Sequence, residues 1–175
     1  TNSGAVTLSG AASFAADTAL TVASTATLSG ILAGTYNLSI GGASELTLSG
    51  ANSFTGTTTV SSGTLTLSGT NTYAGATAVT AGALRIANAA ALGTTSSLVV
   101  TAGAALQIAG GVTYVGVAAT TPILQNISGN NVWSVALRPT NGGALTLRSD
   151  AGVLTLNGVA GSLNAQSADS VNRAL

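Results

Sequence analysis

Residues 45–86 read ELTLSGANSFTGTTTVSSGTLTLSGTNTYAGATAVTAGALRI, and this stretch contains one motif twice. Leu-Thr-Leu-Ser-Gly occurs at 46–50 and again at 65–69, and similar residues follow both copies at equal spacing. The matching pairs are Asn52 and Asn71, Phe54 and Tyr73, Gly56 and Gly75, and Val60 and Val79. A repeat of this length is one supersecondary unit that cannot bury its apolar face alone, so we expect each copy to stack on the next.

The motif recurs outside this stretch at a nearly constant interval. Intervals of 20, 20, 19 and 19 residues separate the last apolar residues of successive copies, which are Leu8, Leu28, Leu48, Leu67 and Ile86. Apolar and polar residues alternate within each copy, and this alternation is typical of a strand with one buried face. A Ser-Gly or similar pair follows the strand motif, which indicates a turn.

Evenly spaced short strands could build either an antiparallel sandwich or a parallel β-solenoid. Sandwich strands recur every ~8–12 residues and need not resemble one another, whereas here residues about twenty positions apart are nearly identical. In a solenoid, equivalent positions of successive coils lie about 4.8 Å apart, so like residues stack on like. The sequence therefore predicts an all-β protein, a parallel β-solenoid with coils of 19–22 residues. We expect regular coils over 1–110, and less regular coils with a candidate C-terminal cap over 111–175.

Stacking of like residues predicts ladders whose role is to build the fold. One inward aliphatic column contains Leu8, Leu28, Leu48, Leu67 and Ile86, and a second contains Val6, Ala26, Leu46, Leu65 and Leu84. The outward column between them contains Thr7, Thr27, Thr47, Thr66 and Arg85. Asn52 over Asn71 predicts an amide ladder at a turn. Phe54 over Tyr73 predicts an aromatic stack, which Phe14 and Tyr36 extend at less regular offsets.

The composition excludes several classes of function. Charged residues make up 5% of the chain and balance to zero, and His, Cys and Met are absent. Without a basic surface we expect no binding to nucleic acid or to anionic lipid. The most apolar region, 102–119, is interrupted by Gly and polar residues, so we expect no membrane insertion of this segment. The chain starts with Thr1 rather than Met, which suggests either a removed leader or an excised segment.

The residues predict no catalytic, cofactor-binding or metal-binding site, and no enzymatic activity. No His exists for a nucleophile–base pair or as a metal ligand. Only one acidic residue, Asp150, has a close basic neighbour, Arg148, which predicts a surface ion pair contributing about 0–1 kcal/mol. A carbohydrate-active β-helix is therefore a distant alternative, because such enzymes need several acidic and basic residues on one face. Ice binding by the outward Thr column is another, although Arg85 interrupts that column.

Two segments resemble a known family. Residues 63–86 followed by Asn-Ala-Ala-Ala-Leu-Gly at 88–93 resemble the passenger-associated β-strand repeat of bacterial autotransporters, and Asn-Ile-Ser-Gly-Asn-Asn-Val-Trp-Ser at 126–134 is similar to the segment that follows such repeats. The best matches cover 44–110, with weaker similarity at 1–43 and 126–158. The resemblance implies a secreted, right-handed, single-stranded parallel β-helix with an extracellular or cell-surface location.

The leading functional hypothesis is a structural protein of the bacterial cell exterior that self-associates, end to end or laterally, as a stalk, matrix or filament. So little charge offers weak protection against association, and an open solenoid end presents unpaired backbone groups. We recognise no polar capping repeat in residues 1–13. The alternative is a surface adhesin with a glycan- or host-binding face, for which Tyr36, Tyr114 and Trp133 are the candidate contacts.

Overall fold

A computed structural model describes residues 4–139 and 145–157 of the chain. This part of the chain is all β, with short strands and no helix. In chain order the strands are β1 (Val6–Leu8), β2 (Ala12–Ser13), β3 (Thr18–Val22), β4 (Ala26–Leu28), β5 (Leu32–Ala33), β6 (Leu38–Gly42), β7 (Glu45–Leu48), β8 (Thr58–Val60), β9 (Thr64–Leu67), β10 (Thr77–Val79), β11 (Ala83–Ile86), β12 (Leu98–Val100), β13 (Ala105–Ala109), β14 (Thr113–Tyr114), β15 (Ala119–Thr120), β16 (Ile123–Ser128), β17 (Asn131–Trp133), β18 (Leu137–Arg138), β19 (Thr146–Ser149) and β20 (Leu154–Leu156).

Each sheet takes one strand from successive coils, and every strand pairing in the described residues is parallel. The eight-stranded sheet has the order β1-β4-β7-β9-β11-β13-β16-β19, and the seven-stranded sheet has the order β18-β15-β12-β10-β8-β6-β3. A third side is formed by the pair β2-β5 near the start of the chain and by β14-β17-β20 near its end. Between these short sheets the backbone still bonds from coil to coil, as from the Ser53 N–H to the Leu32 carbonyl at 2.9 Å. The parallel β-solenoid predicted from the repeat is confirmed.

The register brings equivalent residues of successive coils together. Leu28 pairs with Leu8 and Leu48, and Leu67 pairs with Leu48 and Ile86, so these five residues form one column of the eight-stranded sheet. Because strand side chains alternate between faces, the residues of this column from Leu48 to Ile86 are buried in the single hydrophobic core. The outward column between the aliphatic columns runs through Thr7, Thr27, Thr47, Thr66 and Arg85.

The first coil departs from the predicted inward columns. Val6 and Leu8 are 47% and 57% exposed rather than buried. The reason is that β1 pairs only with β4, and no other strand of the described residues covers its second edge. Val6 and Leu8 are therefore exposed although they belong to the inward columns, whereas Leu147 in β19, at the other end of the same sheet, is buried. The candidate C-terminal cap, residues 162–175, lies outside the described residues.

The Gly of the Ser-Gly pairs at 29–30, 49–50 and 68–69 is required by close approach of the backbone. A Cβ atom placed on Gly69 would lie 2.1 Å from the Gly50 carbonyl oxygen, and one on Gly50 would lie 2.1 Å from that of Gly30. Real Cβ atoms cannot come so close to backbone, and the atoms that would have to move belong to the neighbouring coil. The turns after β4, β7 and β9 can therefore stack tightly only because the Gly position carries no side chain.

Candidate functional site

A stack of four aromatic rings runs through the first four coils. The Phe14 and Tyr36 rings meet edge to face with centroids 5.1 Å apart, and the Tyr36 and Phe54 rings stack at 5.4 Å. Phe54 and Tyr73 lie nearly parallel at 5.0 Å, with 7° between the ring planes. Such ring pairs contribute about 0.5–1.5 kcal/mol each beyond the area that they bury. The structure thus places Phe54 and Tyr73 in the predicted stack and joins Phe14 and Tyr36 to it.

The three aromatic residues proposed as ligand contacts are core residues, so their assignment to a binding face was wrong. Tyr36, Tyr114 and Trp133 are 1%, 1% and 0% exposed. Tyr114 and Trp133 are paired across β14 and β17, and their rings stack at 4.4 Å. Alternation along these strands turns both rings inward. Their separation of 19 residues is the coil period, and this spacing could have indicated a core stack from the sequence alone.

Burial also removes the tyrosine hydroxyls from acid–base chemistry. Desolvation raises the pKa of Tyr114 to about 12, and its hydroxyl donates to the Val117 carbonyl at 3.3 Å. Desolvation likewise raises the pKa of Tyr36 and of Tyr73 above the ordinary tyrosine value. These phenols therefore remain protonated at neutral pH.

The predicted Asn pair forms a buried amide ladder. The side-chain oxygen Oδ1 of Asn71 accepts from the backbone N–H of Asn52 at 2.9 Å and from its Nδ2 at 3.0 Å. Asn52 Oδ1 in turn accepts from the Leu32 N–H at 2.9 Å, and Asn71 Nδ2 donates to the Ala91 carbonyl at 2.5 Å. Together the two amides link four successive coils at a turn that lacks regular strand pairing. The amide groups of both side chains are therefore engaged in hydrogen bonds within the solenoid.

A second amide cluster, which the sequence did not predict, lies in the later coils. Asn126 pairs with Ile108 in the inward aliphatic column, so an amide replaces an aliphatic side chain there. Its Oδ1 accepts from Asn131 Nδ2, while its Nδ2 donates to Ser149 Oγ at 3.0 Å and to the Ala151 carbonyl at 2.9 Å. Asn131 Oδ1 accepts from the Val112 N–H at 2.6 Å. Both amides are fully buried, and these bonds compensate the cost of burying them.

Polar side chains on the outer face of the eight-stranded sheet bond to one another from coil to coil. Glu45 Oε1 accepts from Thr66 Oγ1 at 2.6 Å and from Arg85 Nη1 at 3.0 Å. Arg85 Nε also donates to Gln107 Oε1 at 3.1 Å. The guanidinium therefore links Glu45 to Gln107, which lies in the coil after that of Arg85. Thr66 is buried beneath the Glu45 and Arg85 side chains. The outward Thr column is therefore not a continuous open array, which counts against ice binding.

The same line of polar contacts continues to the last described coil. Gln107 Nε2 donates to Gln125 Oε1 at 3.3 Å, and Gln125 Nε2 donates to Asp150 Oδ2 at 2.5 Å. Arg148 Nε donates to Asp150 Oδ1 at 2.6 Å, which is the ion pair expected from their spacing. We call the set Glu45, Thr66, Arg85, Gln107, Gln125, Arg148 and Asp150 the polar line. Its groups bond to each other along the solenoid axis.

Two further observations concern metals and membranes. No group of three or more His, Cys, Asp or Glu in the described ranges is placed so that it could hold a metal ion. Within the same ranges no helix is long and apolar enough to cross a membrane.

The passenger-associated-transport-repeat family has a sequence model that matches the chain twice, at residues 41–65 and 61–86. These segments contain both copies of Leu-Thr-Leu-Ser-Gly, the Asn52 and Asn71 amides, and the Phe54 and Tyr73 rings. Residues 41–86 carry two passenger-associated transport repeats. The resemblance drawn from the sequence is thus confirmed, and the parallel β-solenoid agrees with it. Passenger-associated transport repeats indicate a secreted or cell-surface protein of the autotransporter passenger type. No curated protein and no solved structure matches the chain.

Proposed function

We propose that this repeat protein is a non-catalytic structural component of the bacterial cell exterior, a stalk, matrix or filament subunit that self-associates. The observation that supports this proposal most strongly is that polar side chains on the outer face of the eight-stranded sheet bond to one another. The polar line contains four of the chain's eight charged residues, and all four pair with members of the line. These groups hold neighbouring coils in register, and their bonding capacity is directed along the solenoid rather than toward a ligand.

The outer surface of the seven-stranded sheet supports association between molecules. From β3 to β15 its outward positions carry small uncharged side chains, and a charged residue follows only at Arg138 in β18. The uncharged positions of this column are Ala19, Ser39, Thr59, Ala78, Val99 and Thr120. A surface with so little charge has weak electrostatic protection against contact with a second molecule.

The test is to image the purified chain by electron microscopy and to measure its mass by light scattering over a wide range of concentration. We expect regular filaments, sheets or discrete oligomers of rods whose mass rises with concentration. A chain that stays monomeric at high concentration in ordinary buffer would contradict self-association. Release of reducing sugar from a polysaccharide panel by the pure protein, if it is lost in Asp150→Asn, would contradict the non-catalytic assignment.

The adhesin hypothesis has lost the contacts on which it was based. Tyr36, Tyr114 and Trp133 lie inside the solenoid, where no glycan can reach them without unfolding of the coil. A glycan array probed with the folded chain is still informative, because specific binding at another surface would restore that hypothesis. No observation in the described residues favours it, and the structural role is therefore preferred.

A further inference from the structure

Two opposite charges stand on the outer face of the seven-stranded sheet. Asp17 directly precedes β3, Arg138 is the outward residue of β18, and both side chains are exposed. Six strand spacings separate β3 from β18, which places the two charges about 29 Å apart along the solenoid axis. The five strands of the sheet that lie between them add no charged residue to this face. The face is therefore uncharged over its middle, with an acid on one side of that region and a base on the other.

The outward side chains between these charges are all small. The middle outward column consists of Ala19, Ser39, Thr59, Ala78, Val99 and Thr120. The columns on its two sides consist of Asn37, Thr57, Ala76 and Ser97, and of Thr21, Gly41, Ser61, Thr80 and Thr101. No side chain in these columns is larger than Asn or Val, so a second flat surface can approach the sheet closely.

Three hydroxyl groups at one side of this face already have partners within the solenoid. Ser61 Oγ donates to the Ile40 carbonyl at 3.0 Å. Thr80 Oγ1 donates to the Val60 carbonyl at 3.2 Å, and Thr101 Oγ1 donates to the Thr80 carbonyl at 2.9 Å. Because these bonds remain when a second molecule excludes water, covering the three hydroxyls leaves none of them without an acceptor.

The two charges decide how two such faces can meet. A contact between identical surfaces has twofold symmetry, and a contact centred on the middle outward column allows two orientations. With the solenoid axes parallel, Arg138 of one copy faces Arg138 of the other. With the axes antiparallel, each Arg138 comes next to Asp17 of the other copy. Like charges disfavour the first orientation and opposite charges favour the second.

We propose that the outer face of the seven-stranded sheet joins two copies of this chain side by side, with their solenoid axes antiparallel. This inference rests on the proposed self-association and names the surface and the orientation through which it occurs. The twofold axis lies along β10, midway between β3 and β18, so Ala78 of one copy meets Ala78 of the other. Val99, which is 40% exposed, then packs against Thr59 of the other copy.

The size of the face indicates a weak and reversible contact. Seven strands at about 4.8 Å and three outward columns cover about 29 Å by about 13 Å, or roughly 400 Å² on each copy. The total of roughly 800 Å² is below the ~1,200 Å² of stable interfaces. Two pairs of opposite charges therefore contribute a large share of the affinity, and the dimer should form only at high concentration.

Sedimentation equilibrium of the full chain at low salt tests the charge pairing. We expect Arg138→Glu and Asp17→Arg each to raise the dissociation constant of the dimer at least tenfold, because two attractive contacts per dimer become repulsive. The double variant Asp17→Arg/Arg138→Glu restores both contacts with the charges exchanged, and its constant should lie within about threefold of the wild-type value. Val115→Glu is the control for an added carboxylate elsewhere, since Val115 is 67% exposed and lies outside this face. We expect it to change the constant less than about threefold.

Crosslinking tests the orientation, because the chain contains no Cys. In the antiparallel dimer β6 of one copy faces β15 of the other, so a short bismaleimide should join Ser39→Cys chains to Thr120→Cys chains. Ser39→Cys alone is the matched control, since its two thiols would lie about 19 Å apart along the axis. Circular dichroism should show that all variants keep the β fold.

The outcomes separate this proposal from self-association in general. A wild-type chain that is monomeric at every concentration would overturn both. Assemblies that Arg138→Glu and Asp17→Arg leave unchanged, or a crosslinked dimer from Ser39→Cys alone, would leave self-association intact and overturn the antiparallel contact. A dimer that each single charge reversal weakens and the double variant restores supports it.

Discussion

Arg85 reaches Glu45 across two coils. Its Nη1 donates to Glu45 Oε1 at 3.0 Å, and Thr66, on the strand between them, donates to the same oxygen at 2.6 Å. Forty residues of chain separate the two ends of this ion pair, yet the solenoid places them two strands apart. The pair lies within the segment that matches the passenger-associated transport repeat, and it links three successive coils on the outer face of one sheet.

Removing this ion pair should cost little. About a quarter of the Arg85 side chain and a third of the Glu45 side chain are exposed, so water screens their attraction. A double-mutant cycle of Glu45→Gln and Arg85→Gln, measured by urea unfolding, should give a coupling of about 0.3–1 kcal/mol that shrinks in 1 M salt. A coupling above about 2 kcal/mol that is insensitive to salt would show that the pair behaves as a buried one.

Phe54→Ala should be strongly destabilising, because it removes the ring that stacks on both Tyr36 and Tyr73. Truncation of a buried Phe to Ala costs about 3–5 kcal/mol, and urea unfolding followed by circular dichroism measures the loss. Phe14→Ala is the matched control, since Phe14 is only half-buried and stands at the end of the same stack. Equal losses of unfolding free energy in the two variants would show that burial of the Phe54 ring between two others adds nothing to stability.

Asn71→Leu tests the amide ladder. The substitution preserves size but removes the acceptor for Asn52, and each buried group left unpaired costs about 1–3 kcal/mol. Asn37→Leu is the control, because Asn37 also bonds to both neighbouring coils but is exposed, and water can replace its bonds. The unfolding midpoint in urea should fall clearly in the first variant and slightly in the second. The reverse order would contradict a stabilising role for the buried ladder.

Gly69→Ala and Gly10→Ala place the same methyl group at equivalent turns with different surroundings. On Gly69 the added Cβ would lie 2.1 Å from the Gly50 carbonyl oxygen, whereas on Gly10 it meets no atom within 4 Å. We expect Gly69→Ala to destabilise the fold by more than about 3 kcal/mol or to prevent folding, and Gly10→Ala to change stability by less than about 0.5 kcal/mol. Thermal unfolding of the two purified variants compares them. A well-folded Gly69→Ala chain of unchanged stability would mean that the turns are not packed this closely.

The pH dependence of stability should include a contribution from the exposed hydrogen bonds that Asp17 accepts from Asn37. Hydrogen bonds from the Asn37 backbone and then from its side chain lower the pKa of Asp17 below the ordinary value of 3.8. The folded state therefore gains stability from the ionised carboxylate above that value and loses it as the pH falls through the lowered pKa. Between pH 5 and pH 2, the unfolding midpoint of the wild-type chain should fall further than that of Asp17→Asn. Parallel curves for the two proteins would show that the bond contributes nothing in solution.

Much of this architecture could be predicted from the sequence because identical residues one coil apart become neighbours. The spacing of Leu48 and Leu67 specifies a parallel pairing, and the alternation around them specifies which face is buried. Asn52 over Asn71 and Phe54 over Tyr73 follow from the same spacing. Residues one repeat period apart in the sequence are neighbours in space, so the period identifies long-range contacts directly.

The tertiary structure decided what periodicity does not encode. The aromatic side chain of Tyr36 could stand on either face of a coil, and only the packing of neighbouring coils turns it inward. Leu8 has the sequence of a core residue, yet it is exposed in β1, which pairs only with β4 among the described strands. Asn126 breaks the aliphatic column, and its partner Asn131 is identified only by the turn that returns the chain toward it. The sequence determined the order in which the coils stack, because the same short motif recurs in each coil. The exposure of a side chain and its hydrogen-bond partners depend instead on which groups surround it in the folded chain.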